Sequence, residues 1–208
     1  ETYLSRACHL EDGSVRVVAH EHVVAVYSAI LYPRGLLDSS PTVLGLRTFE
    51  LTDGADCDAV VPIRSLLKRV SKAIENSDEA GPIAVTVPHE VATVTWAGIS
   101  PPRGGWVLLD EVDSRIFEKV AAEGIAEVAA SIPENSGDLI VQRVRSEVWE
   151  RPIDGIEHVP AGAAFAAYGL RFFSRDESVA IYETGPWTRL TTRRGHVLVR
   201  RKPWTLRR

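Results

Sequence analysis

The sequence has no methionine, only two cysteines and no long apolar run. Cys8 and Cys57 are too few for a disulfide framework and lack the spacing of a metal site, so we expect a cytoplasmic location. No apolar run approaches the roughly 20 residues that a membrane span requires. The first residues have neither the basic nor the apolar segment of a secretory signal. The lack of a long apolar run and of a secretory signal predicts a protein that does not bind a membrane.

Sequence patterns that mark catalytic sites are also missing. There is no Gly-x-Ser-x-Gly elbow and no glycine-rich phosphate loop. Cys57 lies between Asp56 and Asp58, whose charges should raise the pKa of the thiol and weaken it as a nucleophile. His20 and His22 lack a third metal ligand, and a hairpin loop is the favoured interpretation. We therefore predict no catalytic residue, no metal and no cofactor.

The first half of the chain is rich in strand patterns. Runs of β-branched and aromatic residues, separated by turn-rich pieces, predict strands at Tyr3–Leu10, Val15–Ala19, Val23–Leu31, Val43–Leu51, Ile83–Val87 and Val91–Trp96. Between the fourth and fifth strands, apolar residues at helical spacing predict a helix over Val60–Ile74, with Pro62 in its first turn. The strands are expected to be mostly antiparallel.

The clearest break in regular secondary structure is predicted at Ser100–Gly105, a segment that holds two prolines and two glycines. We place a boundary here, between a strand-rich α+β part at 1–105 and a second part at 106–208. One continuous domain is the alternative.

The second half begins with helices and ends in strands. Helices are predicted from an Asp113 cap to Pro133, from a Ser136 cap to Trp149 and over Ala161–Phe173. Strands are predicted at Val179–Glu183, Trp187–Arg193 and His196–Lys202. The predicted fold class is α+β, with a strand-rich N-terminal half, a helical middle, and a C-terminal helix followed by a three-stranded antiparallel unit.

The order of a helix followed by three strands occurs twice in these predictions. The first copy begins at Val60 and takes its last strand from Trp106–Leu109, and Val-Pro precedes the helix in both copies, at Val61-Pro62 and Val159-Pro160. A diverged internal duplication is one explanation. Coincidence is the other, because Val-Pro is a common start for a helix.

Charge is distributed very unevenly along the chain. The last twenty residues carry eight arginines and lysines and no carboxylate, whereas the whole chain has a net charge of −4. The remainder therefore has a net charge of −12. A surface of one sign attracts partners of the opposite sign over about 8 to 10 Å at physiological salt.

The basic residues fall on a predicted terminal hairpin. If Arg194-Gly195 forms a two-residue turn in which glycine supplies a positive φ, Arg189 pairs with Arg200. Leu190, Val197 and Val199 then share the buried face. The opposite face holds the predicted site for an anion or a partner: Trp187, Arg189, Arg193, His196, Arg200 and Lys202.

These features favour a non-catalytic binding or assembly module that uses the basic hairpin face. Its partner would be an acidic protein surface or a polyanion. A sequence pI near 5.9 disfavours a dedicated nucleic-acid binder, and neutralisation of the basic face by acids of the same chain is the structural alternative. Two other functions stay open: a small enzyme whose site is assembled from distant residues, and a protein that self-associates as a homo-oligomer.

Short motifs along most of the chain resemble a family of uncharacterised actinobacterial proteins. The motifs are Leu4–Ala7, Pro101–Trp106, Val159–Ala164, Trp187–Leu190 and Gly195–Arg201. The resemblance implies a cytoplasmic protein of unknown activity and supplies no catalytic or ligand-binding residue. The family often has an aromatic residue before the turn glycine, where this chain has Arg194.

Overall fold

The computed structural model describes residues 1–35, 38, 40–77, 81–91, 94–98, 100–132 and 137–200. The chain divides into two units. The first unit contains Glu1–Ala29 and Leu46–Ser100. The second contains Ile30–Gly45 and the residues from Pro101 onward.

The first unit consists of antiparallel strands with two helices. Its elements are α1 (Thr2–Leu10), β1 (Ser14–His20), β2 (Val23–Leu31), β3 (Thr42–Glu50), β4 (Cys57–Pro62) and α2 (Ile63–Glu75), with the ends of β2 and β3 passing into the second unit. Strand β1 pairs with β2 and with β4, so that Val17 lies opposite both Val26 and Ala59. Alternate residues of β1 are buried, as expected for a strand with one face in a core.

The second unit contains three helices, a separate pair of strands and four further strands of the large sheet. Its elements are β5 (Val107–Asp113), α3 (Ser114–Ser131), α4 (Asp138–Trp149), β6 (Pro152–Ile153), β7 (Ile156–Pro160), α5 (Ala161–Gly169), β8 (Ser178–Thr184), β9 (Trp187–Thr192) and β10 (Gly195–Arg200). Helix α5 contacts both α3 and β10. Phe117 of α3 is fully buried and stacks on Phe173, which follows α5.

Eight strands hydrogen-bond in the order β4-β1-β2-β3-β10-β9-β8-β5, and β6 pairs with β7 separately. The pairings recorded in the described residues are antiparallel. The predicted α+β class with a large antiparallel sheet is therefore confirmed. None of the helices in these residues combines the length and apolar character needed to cross a membrane.

Three strands predicted in the first unit are absent from its described residues. Residues 3–10 form helix α1, because Tyr3, Leu4 and Ala7 bury one side of a helix rather than alternate along a strand. The described residues of 83–96 form no strand: half of them are exposed, so they lack the buried face that packs a strand into a sheet, and Thr95–Gly98 is a short 3₁₀ helix. The predicted first copy of a helix followed by three strands, at residues 60–109, is therefore not formed by the described residues.

The predicted helices of the second unit are largely present. Asp113 caps α3 as predicted, because its carboxylate accepts a hydrogen bond from the Arg115 backbone N–H. The predicted Ser136 cap of α4 lies outside the described residues. Helix α5 ends at Gly169 rather than Phe173, since Arg171 has a φ of +58° and turns the chain away from the helix.

Candidate functional site

The terminal hairpin forms, but in a register that differs from the predicted one. Thr192 lies opposite Gly195, so Arg193 and Arg194 form the turn. Arg189 lies opposite Leu198, and Arg200 lies opposite Trp187. The predicted direct pairing of Arg189 with Arg200 is wrong: the two lie on the same face as diagonal neighbours.

Side-chain hydrogen bonds and close packing explain this register. The Thr192 hydroxyl oxygen accepts a hydrogen bond from the Arg194 backbone N–H, and the buried Glu177 carboxylate accepts one from the Arg193 N–H. Gly195 has no positive φ, contrary to the prediction. It is required for space, because a Cβ there would lie 2.6 Å from the Phe172 ring.

The two faces of the hairpin are both partly buried. Leu190, Val197 and Val199 are each 1% exposed, as predicted for the core face. On the opposite face, however, Trp187 is 3% exposed and Leu198 is 1% exposed. Trp187 is therefore not available to stack on a ligand, and the predicted face is not an open cationic surface.

Arg189 is the centre of a cluster on this second face. Its guanidinium carbon lies 4.6 Å from the centroid of the Trp106 ring and 4.5 Å from that of the Tyr182 ring. Tyr182 is directly opposite Arg189 on strand β8, which fixes that contact. We call Trp106, Tyr182, Arg189 and His196 the arginine–aromatic cluster.

Trp106 reaches Arg189 because of the turn that precedes β5. Gly105 has a φ of +76°, a backbone conformation that glycine adopts most readily. The Trp106 indole Nε1–H donates a hydrogen bond to the Pro102 carbonyl oxygen at 3.1 Å. The proline- and glycine-rich segment therefore holds the indole in position over the guanidinium.

The electrostatics of the cluster are unusual for an arginine. The Nε atom of Arg189 is buried and has no hydrogen-bond partner in the described part of the chain. Burial holds the pKa of Arg189 below its usual value, because desolvation disfavours the charged form. Burial also lowers the pKa of His196, and the charge of Arg189 lowers it further. The His196 Nδ1 atom lies 3.1 Å from the Thr191 hydroxyl oxygen.

The predicted site residues do not all come together. Arg189, His196, Arg200 and the buried Trp187 share one face, whereas Arg193 is exposed at the turn. Lys202 lies outside the described residues. The sequence analysis did not assign Trp106 or Tyr182 to this site.

Other sequence candidates have structural explanations. The pKa of Cys57 is raised, mainly by burial and then by the charge of Asp58, which agrees with the prediction of a weak nucleophile. His20 ends strand β1, and its Nδ1 atom lies 2.9 Å from an Asp56 carboxylate oxygen. Among the described residues, no three His, Cys, Asp or Glu side chains are grouped so as to hold a metal ion.

The chain was compared with known proteins. A comparison with the curated proteins finds no match. One similar solved structure is the crystal structure of DNA polymerase sliding clamp from Pseudomonas aeruginosa, with a TM-score of 0.46 and 13% sequence identity. The likeness covers 99% of this chain and 62% of that chain, so this chain spans less than two thirds of its length. A TM-score at this level supports no conclusion about function.

Two family models cover most of the chain, and both have descriptions that name no activity. Residues 1–98 match the model described as Domain of unknown function (DUF8010). Residues 101–204, half of the chain, match the model described as Domain of unknown function (DUF8185). The predicted boundary near residue 105 stays a prediction. The chain belongs to the family described as Domain of unknown function (DUF8185).

Proposed function

We propose that this protein is a non-catalytic binding module that holds an anionic group of a partner at Arg189. The group would be a carboxylate of an acidic protein surface or a phosphate of a polyanion. The observation that carries the proposal is the state of Arg189: its guanidinium is stacked on two aromatic rings, and its buried Nε has no acceptor in the described residues. The cysteine content favours a cytoplasmic setting for this partner.

Stacking directs how this guanidinium can bind. Its guanidinium carbon lies over the Trp106 and Tyr182 rings, and the planar group as a whole carries five N–H donors. An arginine held in this way offers a pre-oriented fork that matches the two oxygens of a carboxylate or phosphate. The described residues include no carboxylate in an ion pair with Arg189. A partner anion would therefore supply, at the accessible part of the guanidinium, the counter-charge that the described residues do not.

His196 adds a second feature to the same face. Its ring is close enough to Arg189 for the arginine charge to lower its pKa. With a pKa below the ordinary value, His196 is neutral near pH 7 and leaves Arg189 as the cation that attracts the anion. An anion bound beside both groups would stabilise protonated His196, so acidification should strengthen binding.

The first prediction is that Arg189→Gln weakens anion binding at least about tenfold, because the charged hydrogen-bond donors are lost. The measurement is a nuclear magnetic resonance titration with sulfate, which keeps its charge over the pH range used. The Trp106 indole N–H resonance is the reporter, since this group is present in wild type and variant. Sulfate should also bind more tightly at about pH 5 than at about pH 7 in the wild type.

Two variants serve as controls for this experiment. Arg189→Lys keeps the charge but loses the planar fork, and should give intermediate affinity. Arg143→Gln removes an exposed arginine of α4 that pairs with Glu147, and should leave the titration unchanged. Equal sulfate affinity of Arg189→Gln and wild type would contradict the proposal and leave Arg189 with a purely structural role.

Self-association is a second candidate function, favoured by strand β5. This strand lies at one end of the eight-stranded sheet. Val107, Leu108 and Leu109 are 64%, 50% and 46% exposed along it. An edge strand with exposed aliphatic side chains is suited to pair with another strand. The occupant we propose is β5 of a second copy, because antiparallel pairing centred on Leu108 would bring the exposed aliphatic side chains of the two strands together.

The corresponding prediction is that Val107→Lys shifts the chain from dimer to monomer, because a charge next to the centre of the paired edge must be desolvated. Sedimentation velocity at low and high salt measures this equilibrium. Val23→Lys, a change at a 50% exposed valine of β2, is the matched control. A wild-type chain that stays monomeric at high concentration would exclude this function.

A further inference from the structure

Four arginines lie at one end of the second unit, two of them at the turn of the terminal hairpin and two in the connection between α5 and β8. Arg171 and Arg175 lie in the connection between α5 and β8, and Arg193 and Arg194 form the turn between β9 and β10. All four side chains are exposed. We call these four residues the arginine end.

Direct contacts hold the two segments of the arginine end together. The Arg194 guanidinium Nη1 donates a hydrogen bond to the Phe173 carbonyl oxygen at 3.2 Å. The Glu177 carboxylate accepts hydrogen bonds from the backbone N–H groups of Arg193, at 2.6 Å, and Ser174, at 3.1 Å. The connection and the turn are therefore fixed against each other, and the four arginines share one small region.

The arginine end has a surplus of positive charge. The two segments contain only two carboxylates, Asp176 and Glu177, against four arginines. Glu177 is 7% exposed, and its oxygens are occupied by backbone N–H groups. The described residues provide no ion pair to any of the four guanidinium groups. Like charges gathered without counter-charges destabilise a surface unless an anion binds there.

The backbone at Arg171 has a conformation that is uncommon for a residue with a side chain, and its guanidinium carbon lies 5.8 Å from the centroid of the Tyr168 ring. Its φ is +58°, and the N–H groups of Arg171 and Phe172 donate to the carbonyl oxygens of Tyr168 and Ala167. This is the pattern of a helix end at which glycine is the preferred residue. An arginine is less stable than glycine in this conformation, because its Cβ crowds the backbone. A strained residue that carries a charge is a reason to look for binding at that charge.

We infer that the arginine end binds a compact anion with several phosphate groups, such as the phosphate chain of a nucleotide or a short inorganic polyphosphate. Guanidinium groups bind phosphate oxygens in pairs, and four of them match the charge of a short phosphate chain. A compact ligand fits better than a long polyanion, because the chain as a whole has a net charge of −4 and would repel the rest of a long one. This site is separate from the function proposed for Arg189.

The test is calorimetric titration of the full chain with tripolyphosphate at low salt. Arg171→Gly removes a charge and relieves the positive φ, so it should weaken binding roughly fivefold or more while leaving the melting temperature unchanged or higher. The double variant Arg175→Ser with Arg193→Ser should weaken binding further. Both of its sites are exposed, and removal of such charges has little effect on folding.

Two control variants and a second ligand show whether tripolyphosphate binds at the arginine end. Arg189→Gln should leave tripolyphosphate affinity unchanged, which separates this site from the arginine–aromatic cluster. A variant with Gln at Arg201, Lys202, Arg207 and Arg208 should also keep most of the affinity. A nucleoside triphosphate that binds as tightly as tripolyphosphate supports recognition of the phosphate chain, whichever molecule supplies it.

Specific results would overturn the inference. Unchanged affinity in both Arg171→Gly and the double variant would do so. So would loss of binding in the variant of the last residues alone, since the phosphate site would then lie there. Tighter binding of hexaglutamate than of tripolyphosphate would reject the ligand class and point to an acidic peptide.

Discussion

Glu177→Ala is expected to lower the free energy of unfolding by about 3 kcal/mol. The Glu177 side chain is a buried carboxylate whose two oxygens accept the backbone N–H groups of Ser174 and Arg193. Alanine would leave both donors without that acceptor, and hydrogen bonds to a charged group contribute more than neutral ones. Urea unfolding followed by circular dichroism measures the change.

Glu177→Gln provides the graded control for this prediction. The amide keeps one acceptor oxygen but places an NH₂ group against the second backbone donor, so the loss should be smaller than for alanine. Asp176→Asn removes the charge of a neighbouring exposed carboxylate but suits the positive φ of this residue, and should change stability by less than about 0.5 kcal/mol. If Glu177→Ala unfolded at the same urea concentration as wild type, the carboxylate would not hold the two segments together.

Glu177 also links stability to the inferred phosphate site. Its loss should free the turn of Arg193 and Arg194 from the connection that carries Arg175. We therefore expect Glu177→Ala to weaken tripolyphosphate binding although it removes a negative charge from the region. A purely electrostatic site would instead bind more tightly, so the direction of the change reports whether preorganisation matters.

The face assignment of the terminal hairpin followed from sequence, while its register did not. Leu190, Val197 and Val199 alternate along two strands, and burying them fixes which side each neighbour occupies. A shift of the turn from Arg194-Gly195 to Arg193-Arg194 preserves that alternation, so the pattern could not distinguish the two registers. The deciding contacts, from Glu177 and from Phe172 against Gly195, join residues distant in sequence.

Helix α1 shows a different limit of sequence-based prediction. Its aromatic and aliphatic residues at positions 3 and 4 suggested a strand, but the burial of Tyr3, Leu4 and Ala7 follows a helix. The Tyr3 hydroxyl lies 2.8 Å from the Ser28 hydroxyl and 3.2 Å from the Val26 carbonyl oxygen, which it bonds as donor. A tertiary contact of this kind overrides the local preference for a strand.

The arginine–aromatic cluster could be predicted only in part. Arg189 and His196 were assigned to one face from strand alternation alone. Trp106 carried a signal, because a tryptophan after two glycines is placed by a turn, but its target depends on how β5 joins β8. Tyr182 could have been assigned to the cluster once the β8–β9 register was known, since it lies opposite Arg189.

Gly124→Ala is expected to destabilise the chain by about 2 kcal/mol, although alanine is the better helix former by about 1 kcal/mol. Gly124 is buried in α3, and a Cβ there would lie 2.4 Å from Cζ3 and 2.6 Å from Cη2 of Trp149. The indole cannot move aside easily, because it is 2% exposed and stacks on Phe165 at 4.5 Å. Thermal unfolding of the variant measures the loss.

A double-mutant cycle assigns this loss to the clash with the indole. Trp149→Phe removes the outer ring atoms that meet the new methyl group, so the pair Gly124→Ala and Trp149→Phe should lose at least about 1 kcal/mol less than the sum of the single changes. Ala126→Gly, at an exposed position of the same helix, is the matched control, because it measures helix propensity without a clash. Additive effects in the cycle, or a Gly124→Ala variant as stable as wild type, would show that α3 and Trp149 are not in such close contact.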